Sequence, residues 1–129
     1  MRLHRLIVEG ENAAEVEFEG ANETVIAIVE GISTELPGSD VFIIADAYWL
    51  QSAGTTATVM KIRRGKTTAG TEVASCEINS VVAKKNECTL QGRDIVGAAA
   101  GASYCFTLTE TKAGEKPKAA KGCRIRAEY

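Results

Sequence analysis

The feature of this sequence that most constrains its fold is a set of short segments in which apolar and polar residues alternate. The clearest segment is Ala14–Glu19, where Val16 and Phe18 occupy alternate positions. The residues beside them are all acidic, namely Glu15, Glu17 and Glu19. Because successive side chains of an extended chain point to opposite faces, this pattern predicts a β-strand with one buried and one solvated face.

Candidate strands recur along the whole chain at intervals of about ten to fifteen residues. The nine segments are Arg2–Val8, Ala14–Glu19, Glu23–Gly31, Val41–Leu50, Thr56–Arg64, Thr71–Asn79, Glu87–Gln91, Ser103–Lys112 and Gly122–Glu128. Between them we expect a turn at Leu36–Asp40, one helical turn within Val81–Glu87, and loops at Gly97–Ala102 and Ala113–Lys121. Ile, Val and Thr together supply 32 of the 129 residues, a composition typical of strands. The sequence therefore predicts one all-β domain over residues 1–129, an antiparallel sandwich or barrel of about eight to nine strands.

Two of these segments are apolar on both faces. In Glu23–Gly31 this predicts a central strand or one that lies against a partner. Val41–Leu50 is the most hydrophobic segment and contains Tyr48 and the only tryptophan, Trp49. The two segments together carry more apolar side chains than one side of a small sandwich can bury, so we expect neighbouring subunits to cover the remaining ones. A closed cyclic homo-oligomer, and a trimer in particular, meets that need without forming open fibres.

Charge is divided unevenly along the chain. Residues 1–40 contain nine acidic and two basic residues, whereas residues 41–129 contain eight acidic and thirteen basic ones. One interpretation is a solubilising surface with two regions of opposite sign. The other is attraction between subunits, for which the acidic candidates are Glu15, Glu17 and Glu19. The basic candidates are Arg124 and Arg126 in the last strand and Arg63 and Arg64 beside the turn at Gly65.

The four cysteines leave two possibilities open. A hairpin of residues 103–112 with 122–128 would bring Cys105 to Cys123, and a turn near Val82 would bring Cys76 to Cys88. The alternative is four buried thiols, which the absence of a signal peptide favours. The intervals between the cysteines match no zinc-binding motif.

Little in the sequence indicates catalysis or cofactor chemistry. His4 is the only imidazole, and it lies among apolar residues of the first candidate strand. We predict no catalytic residues, no cofactor and no metal site. A net charge of −2 without interleaved aromatic and basic residues argues against a nucleic-acid partner. No stretch reaches the roughly 18 apolar residues of a membrane span, so we expect no membrane partner.

The region from Trp49 to Tyr129 resembles a known class of proteins. The relevant order is Thr58-Val59-Met60-Lys61-Ile62-Arg63-Arg64-Gly65, Ala69-Gly70-Thr71, Gln91-Gly92-Arg93-Asp94 and Tyr104-Cys105-Phe106-Thr107-Leu108-Thr109. It resembles small β-sandwich structural proteins of tailed-bacteriophage virions, such as head-decoration and fibre-head domains. The resemblance implies a jelly-roll-like sandwich, usually trimeric, that binds other virion proteins and has no catalytic residues. The four cysteines depart from this pattern.

Two functions remain in view. The first is a non-enzymatic structural protein of a virus particle, of the decoration, fibre-head or minor-capsid type. It would be made in the host cytoplasm and located in the virion. The alternative is a soluble ligand-binding or carbohydrate-binding module that stacks a sugar ring on Trp49 and Tyr48. The exposure of Trp49 distinguishes them.

Overall fold

The computed structural model describes residues 7–32, 40–50, 56–80, 85–95, 102–112, 114 and 116–129. Within these residues all regular structure is extended, which confirms the all-β prediction. The strands are β1 (Ile7–Glu11), β2 (Val16–Glu17), β3 (Thr24–Ile32), β4 (Asp40–Leu50), β5 (Thr56–Arg64), β6 (Glu72–Ser80), β7 (Lys85–Ile95), β8 (Ala102–Glu110), β9 (Lys118–Ala119) and β10 (Arg124–Glu128). Over the same residues there is no helix with the length and apolar character needed to cross a membrane.

The strands form two antiparallel sheets. Sheet A has the order β1-β10-β4-β9-β2, and β7 pairs with the other side of β4. Sheet B has the order β3-β8-β5-β6. Strand β4 organises sheet A, because β7 pairs with all of it, from Asp40 opposite Ile95 to Leu50 opposite Lys85. Its other side is shared by β10 over Phe42–Asp46 and by β9 at its end.

The core lies between the two sheets and follows from the alternation in β4. The buried side chains of this strand are Val41, Ile43, Ala45, Ala47 and Trp49. Sheet B contributes alternate residues of β5 and β8 to the same cluster, including Met60, Ile62, Tyr104, Phe106 and Leu108. Full burial of each large apolar side chain stabilises a fold by about 1.5–3 kcal/mol, so this cluster supplies most of the force that holds the sheets together.

Two glycines allow the sheets to approach closely at opposite edges. A Cβ atom on Gly10 of β1 would lie 1.7 Å from the carbonyl oxygen of Ile28 in β3. At the other edge, a Cβ atom on Gly92 of β7 would lie 3.0 Å from Val73 and 3.2 Å from Ala74 of β6. The segment predicted as a central strand is therefore β3 at the end of sheet B, and its second apolar side lies against β1.

The hairpin predicted between residues 103–112 and 122–128 is wrong. Strand β8 pairs with β3 and β5 in sheet B, whereas β10 pairs with β1 and β4 in sheet A. The chain passes between the sheets after β8, and Gly114, with φ +88°, lies in that connection. The predicted strands 14–19 and 87–91 are present but shorter and longer, respectively, than expected.

Several predictions fall outside the described residues. They are the Arg2–Leu6 part of the first strand with His4, the turn up to Ser39, residues 81–84 of the predicted helical turn, and residues 97–101 of the small-residue loop. The described remainder of that helical turn, residues 85–87, belongs to β7, so the helical prediction is wrong there.

Candidate interaction surface

The outer face of sheet A carries an apolar row supplied by β4. Because the odd-numbered residues of this strand point into the core, Phe42, Ile44, Tyr48 and Leu50 point outward together with Asp46. Tyr48 is 38% exposed and Leu50 is 50% exposed, values unusual for large hydrophobic side chains. We call this row the β4 outer row.

Neighbouring strands place charged and polar side chains beside the β4 outer row. Their positions follow from strand register: Phe42 lies opposite Glu128 and Arg93, Ile44 opposite Arg126 and Gln91, Asp46 opposite Arg124 and Thr89, Tyr48 opposite Glu87, and Leu50 opposite Lys118 and Lys85. Thr89 donates a hydrogen bond from its hydroxyl to Asp46 Oδ1 at 2.7 Å. The face is therefore an apolar strip bordered by both signs of charge, the composition of a protein–protein contact.

Two of the basic candidates, Arg124 and Arg126, lie on this face. Arg124 is exposed and Arg126 is half-buried, while Ile125 and Ala127 between them point into the core. Arg126 Nε lies 3.6 Å from Glu128 Oε1. Both guanidinium groups thus border the β4 outer row.

The three acidic candidates are all exposed. Glu17 lies opposite Lys118 in the β2–β9 pair and therefore borders the Leu50 end of the β4 outer row. Glu15 lines the groove described below, and Glu19 lies 3.6 Å from Lys116 Nζ. The structure thus brings Glu17, Arg124 and Arg126 onto one face of sheet A.

Arg63 is engaged within its own chain. Its guanidinium binds both carboxylate oxygens of Glu23, with Nη2 2.8 Å from Oε1, and Nη1 donates to the carbonyl of Gly70 at 2.8 Å. The hydrogen bonds from Arg63 hold the pKa of the Glu23 carboxyl below its usual value, against the opposing effect of burial. This pair fastens the segment before β3 to β5 across sheet B.

Arg64 forms a second internal cluster. Its Nε and Nη2 lie 2.8 and 2.7 Å from the two carboxylate oxygens of Asp94. The buried Tyr104 hydroxyl donates to Asp94 Oδ2 at 2.6 Å. Burial, followed by the Asp94 hydrogen bond, raises the pKa of Tyr104, which therefore stays protonated as a donor. This cluster joins β5 and β8 to β7. Because Arg63 and Arg64 both bind carboxylates of their own chain, we exclude them as residues for contacts between subunits.

A groove of about 650 Å³ opens at the Leu50 end of the β4 outer row. Its lining residues are Glu15, Tyr48, Trp49, Leu50, Lys85, Asn86, Glu87, Lys118 and Ala120. Trp49 is only 2% exposed, which agrees with its place in the most hydrophobic segment, so it does not offer the aromatic platform that the alternative function requires. Its inward position follows from the same alternation that turns Tyr48 outward. An aromatic contact in this groove therefore depends on Tyr48.

All four cysteines are free thiols. Cys105 and Cys123 are fully buried and lie in different sheets, so the predicted pairing between them is wrong. Cys105 Sγ lies 3.9 Å from the carbonyl of Thr67, and Cys123 Sγ lies 3.4 Å from the carbonyl of Tyr48. Cys76 and Cys88 are half-buried, with their sulfur atoms 3.7 Å apart. Their proximity was predicted, but they face each other across the two sheets rather than along a hairpin.

In the ranges that the structure covers, no group of three or more His, Cys, Asp or Glu residues is arranged to hold a metal ion. The sequence analysis overlooked Lys85, Glu87 and Lys118 as neighbours of Tyr48 and Leu50. Because Val41–Leu50 is apolar on both faces, its alternation did not show that Tyr48 and Leu50 point outward. Nothing in the sequence indicated which strands flank β4, because those pairings join residues far apart along the chain.

Comparison with known proteins identifies the fold. No protein-family model matches the sequence, and no curated protein matches it. Eiger TNF from S. frugiperda superposes with a TM-score of 0.58 at 11% identity, covering 96% of this chain and 91% of that one. Murine APRIL gives a TM-score of 0.61 at 10% identity, covering 97% and 98%. The VP2 chain of an infectious bursal disease virus subviral particle gives 0.58 at 12% identity, covering 98% of this chain but only 33% of VP2.

At these identities the similarity establishes the fold alone. The chain is an antiparallel jelly-roll β-sandwich, as its sequence predicts, and the same architecture occurs in a viral capsid protein and in a TNF.

Proposed function

We propose that this chain is a non-enzymatic structural protein of a virus particle, of the decoration, fibre-head or minor-capsid type, which acts by self-association and by contacts with other virion proteins. The observation that carries the proposal is the β4 outer row. Exposed apolar rows on a folded sheet are stabilised by a second protein surface, because covering them removes about 25 cal/mol of unfavourable hydration per Å².

The charges that border this row favour a second copy of the chain as the partner. Arg124 and Arg126 lie along one part of the row and Glu17 along the other. Because Lys85 and Lys118 flank the same Leu50 end as Glu17, that end has no single sign of charge, and the expected pairing is of Glu17 in one copy with Arg124 or Arg126 in another. Such rim pairs contribute about 0.2–1 kcal/mol each, so they set orientation while the apolar row supplies affinity.

We take the assembly to be a closed cyclic trimer, in which each contact joins different parts of the face on the two subunits, the Leu50 end of one β4 outer row meeting the Phe42–Asp46 part of the next. Cyclic symmetry buries the same surface on every subunit and leaves no growing end. The virion as location is supported by the resemblance to phage structural proteins and by the jelly-roll fold shared with VP2, which itself forms a subviral particle.

The first experiment compares two double variants of the full chain. Tyr48→Lys with Leu50→Lys places two charges in the β4 outer row. The matched control, Ser75→Lys with Asn79→Lys, adds the same charge to exposed positions on the outer side of β6 in sheet B. Light scattering after size-exclusion chromatography should give a trimer for the parent and the control, and a folded monomer for the Tyr48/Leu50 variant.

Two results would overturn this assignment. One is a parent chain that is strictly monomeric at tens of micromolar. The other is a Tyr48/Leu50 variant that assembles like its control, since the apolar row would then not be the contact. Circular dichroism of each variant establishes that the sandwich is retained.

The groove beside Tyr48 favours a second candidate function, a carbohydrate-binding module. An exposed tyrosine ring can stack on a sugar, and Asn86 and Glu87 supply polar groups beside it. Trp49 lines the same groove and is the only tryptophan, so its fluorescence reports on occupancy. A saturable fluorescence change with neutral oligosaccharides, abolished by Tyr48→Ala, supports this function. Unchanged fluorescence at millimolar sugar contradicts it.

A further inference from the structure

The half-buried cysteine pair at the β6–β7 edge is a second chemical feature that the proposed function does not use. Cys76 lies in β6, the last strand of sheet B, and Cys88 lies in β7, the outermost partner of β4 in sheet A. Their sulfur atoms are 3.7 Å apart. Both side chains point into the sandwich: Cys76 lies opposite the core residue Met60, and Cys88 lies opposite the core residue Ala47.

The backbone at this edge holds the two strands close together. Gly92 faces Val73 and Ala74, and any side chain at this position would displace these neighbours. The approach of β6 to β7 is therefore limited by packing, which holds the two sulfur atoms 3.7 Å apart, so they must move closer to reach the S–S bond length of about 2 Å. A disulfide needs neighbouring strands at this kind of distance, with Cβ atoms directed at each other.

We infer that Cys76 and Cys88 form a reversible disulfide that joins sheet A to sheet B, with a low-molecular-weight disulfide such as glutathione disulfide as the oxidant. One cysteine thiolate attacks a sulfur of glutathione disulfide, whose S–S bond breaks and releases one glutathione. The second cysteine thiolate then attacks the protein sulfur of the mixed disulfide and releases the other glutathione. The two cysteines lose two electrons and two protons, and the oxidant becomes two thiols.

The surroundings of the pair make the reaction selective and slow. Cys76 and Cys88 are half-buried and accessible, whereas Cys105 and Cys123 have no exposed surface. Burial and the neighbouring Cys76 raise the pKa of the Cys88 thiol to about 11, which keeps it protonated at neutral pH. The redox poise of the compartment decides which form is populated, so we expect two thiols where glutathione is kept reduced and the disulfide in an oxidising compartment.

The bond would stabilise the sandwich at its β6–β7 edge. It closes a loop that spans residues 76–88, and loops of this size remove conformational freedom from the unfolded chain. For a chain of 129 residues the melting temperature should rise on the order of 10 °C.

The test uses the full chain in its native state. After incubation with glutathione disulfide, free thiols are alkylated and the protein is digested with trypsin, which cleaves after Lys84, Lys85 and Arg93. We expect residues 67–84 linked to residues 86–93, with Cys105 and Cys123 alkylated only after denaturation. The melting temperature should rise in the parent and return when a thiol reductant is added.

Cys76→Ala and Cys88→Ala are the matched controls, and neither should gain stability from glutathione disulfide. The inference is overturned by glutathione left attached at one cysteine, by a disulfide between two chains on a non-reducing gel, or by the linked peptides without a rise in melting temperature. The parent measurement stands alone if either variant fails to fold. Because it reports on one chain, it is independent of whether the β4 outer row mediates assembly.

Discussion

At the scale of single residues, Glu23 and Arg63 are charged residues that the sequence would place at the surface, yet they form a half-buried pair that stabilises the fold. The two side chains are 18% and 14% exposed, and 40 positions separate them along the chain. Charge-assisted hydrogen bonds in such half-buried positions are stronger than those between exposed groups, because less water competes for them. The pair anchors the start of β3 to β5 in sheet B.

This pair makes the stability of the chain depend on pH. The pKa of Glu23 lies below its ordinary value of 4.5 in the folded state, so its stabilising contribution is complete above that value. The contribution is lost as the pH falls through the lowered pKa, where the folded carboxylate takes up its proton. Glu23→Gln should lower the free energy of unfolding by about 1–2 kcal/mol at pH 7, and this difference from the parent should shrink in acid. Urea denaturation at several pH values should therefore show the two stabilities converging below pH 4.5. Parallel curves would contradict the assignment.

The sequence predicted the direction of these arginines less well than that of the core residues. The local sequence around a basic residue beside a turn is the same whether its side chain faces solvent or binds a carboxylate far away along the chain. Alternation identified the outward face of β10, where Arg124 and Arg126 alternate with apolar residues, but it did not identify that of β4, whose two faces are both apolar. It carried no information on Glu23 or Asp94, whose contacts with Arg63 and Arg64 depend on strand pairing between remote segments.

At the scale of elements, the backbones of β1 and β3 approach each other closely between the two sheets. Gly10 lies directly against the backbone of Ile28. Gly10→Ala should force β1 away from β3 and cost about 1–3 kcal/mol, or more if the edge opens. The denaturant midpoint measures this loss, and Glu9→Ala, an exposed neighbour on the same strand, is the control with a small expected effect. Equal midpoints for parent and Gly10→Ala would show that β1 does not lie against β3 in solution.

Strand prediction succeeded where a segment was long enough to show its period. Strand β9 has only two residues and lies within a predicted loop, so no alternation marked it. The pairing of β8 with β10 was predicted from sequence proximity, although each strand pairs with distant segments instead. Tyr48 lies between the part of β4 that pairs with β10 and the part that pairs with β9. Its backbone N–H donates a hydrogen bond to Cys123 Sγ at 3.3 Å.

At the scale of the whole molecule, much of the charge division is neutralised within one chain. Acidic residues of the first 40 positions pair with basic residues of the remainder: Glu23 with Arg63, Glu30 with Lys66 at 2.8 Å, Asp40 with Arg93 at 3.1 Å, and Glu19 with Lys116 at 3.6 Å. The candidates for charge attraction between subunits are therefore the residues that border the β4 outer row. Glu17 is the main acidic candidate among them.

This restriction gives a comparison of two charge reversals. Glu17→Lys should weaken assembly several-fold at low ionic strength, because it places a cation near Arg124 or Arg126 of a neighbour, and the effect should shrink in 0.5 M salt as screening lengths fall to a few ångströms. Glu19→Lys, which alters a pair within the chain, should leave the assembly constant nearly unchanged. Sedimentation equilibrium of both variants at two salt concentrations decides the matter. Equal behaviour of the two would assign Glu17 to a solvated face.

The two sides of β4 face different environments, and this has a consequence for how the sequence can diverge. Its inner residues are constrained by a core that every descendant must keep, whereas its outer residues are constrained only by whatever surface they meet. A lineage that changes partner should therefore diverge at every second position of this strand. Substitutions should accumulate at Phe42, Ile44, Asp46, Tyr48 and Leu50, while Val41, Ile43, Ala45, Ala47 and Trp49 change little. The pattern of substitutions alone would then show which residues of β4 face the core and which face the partner.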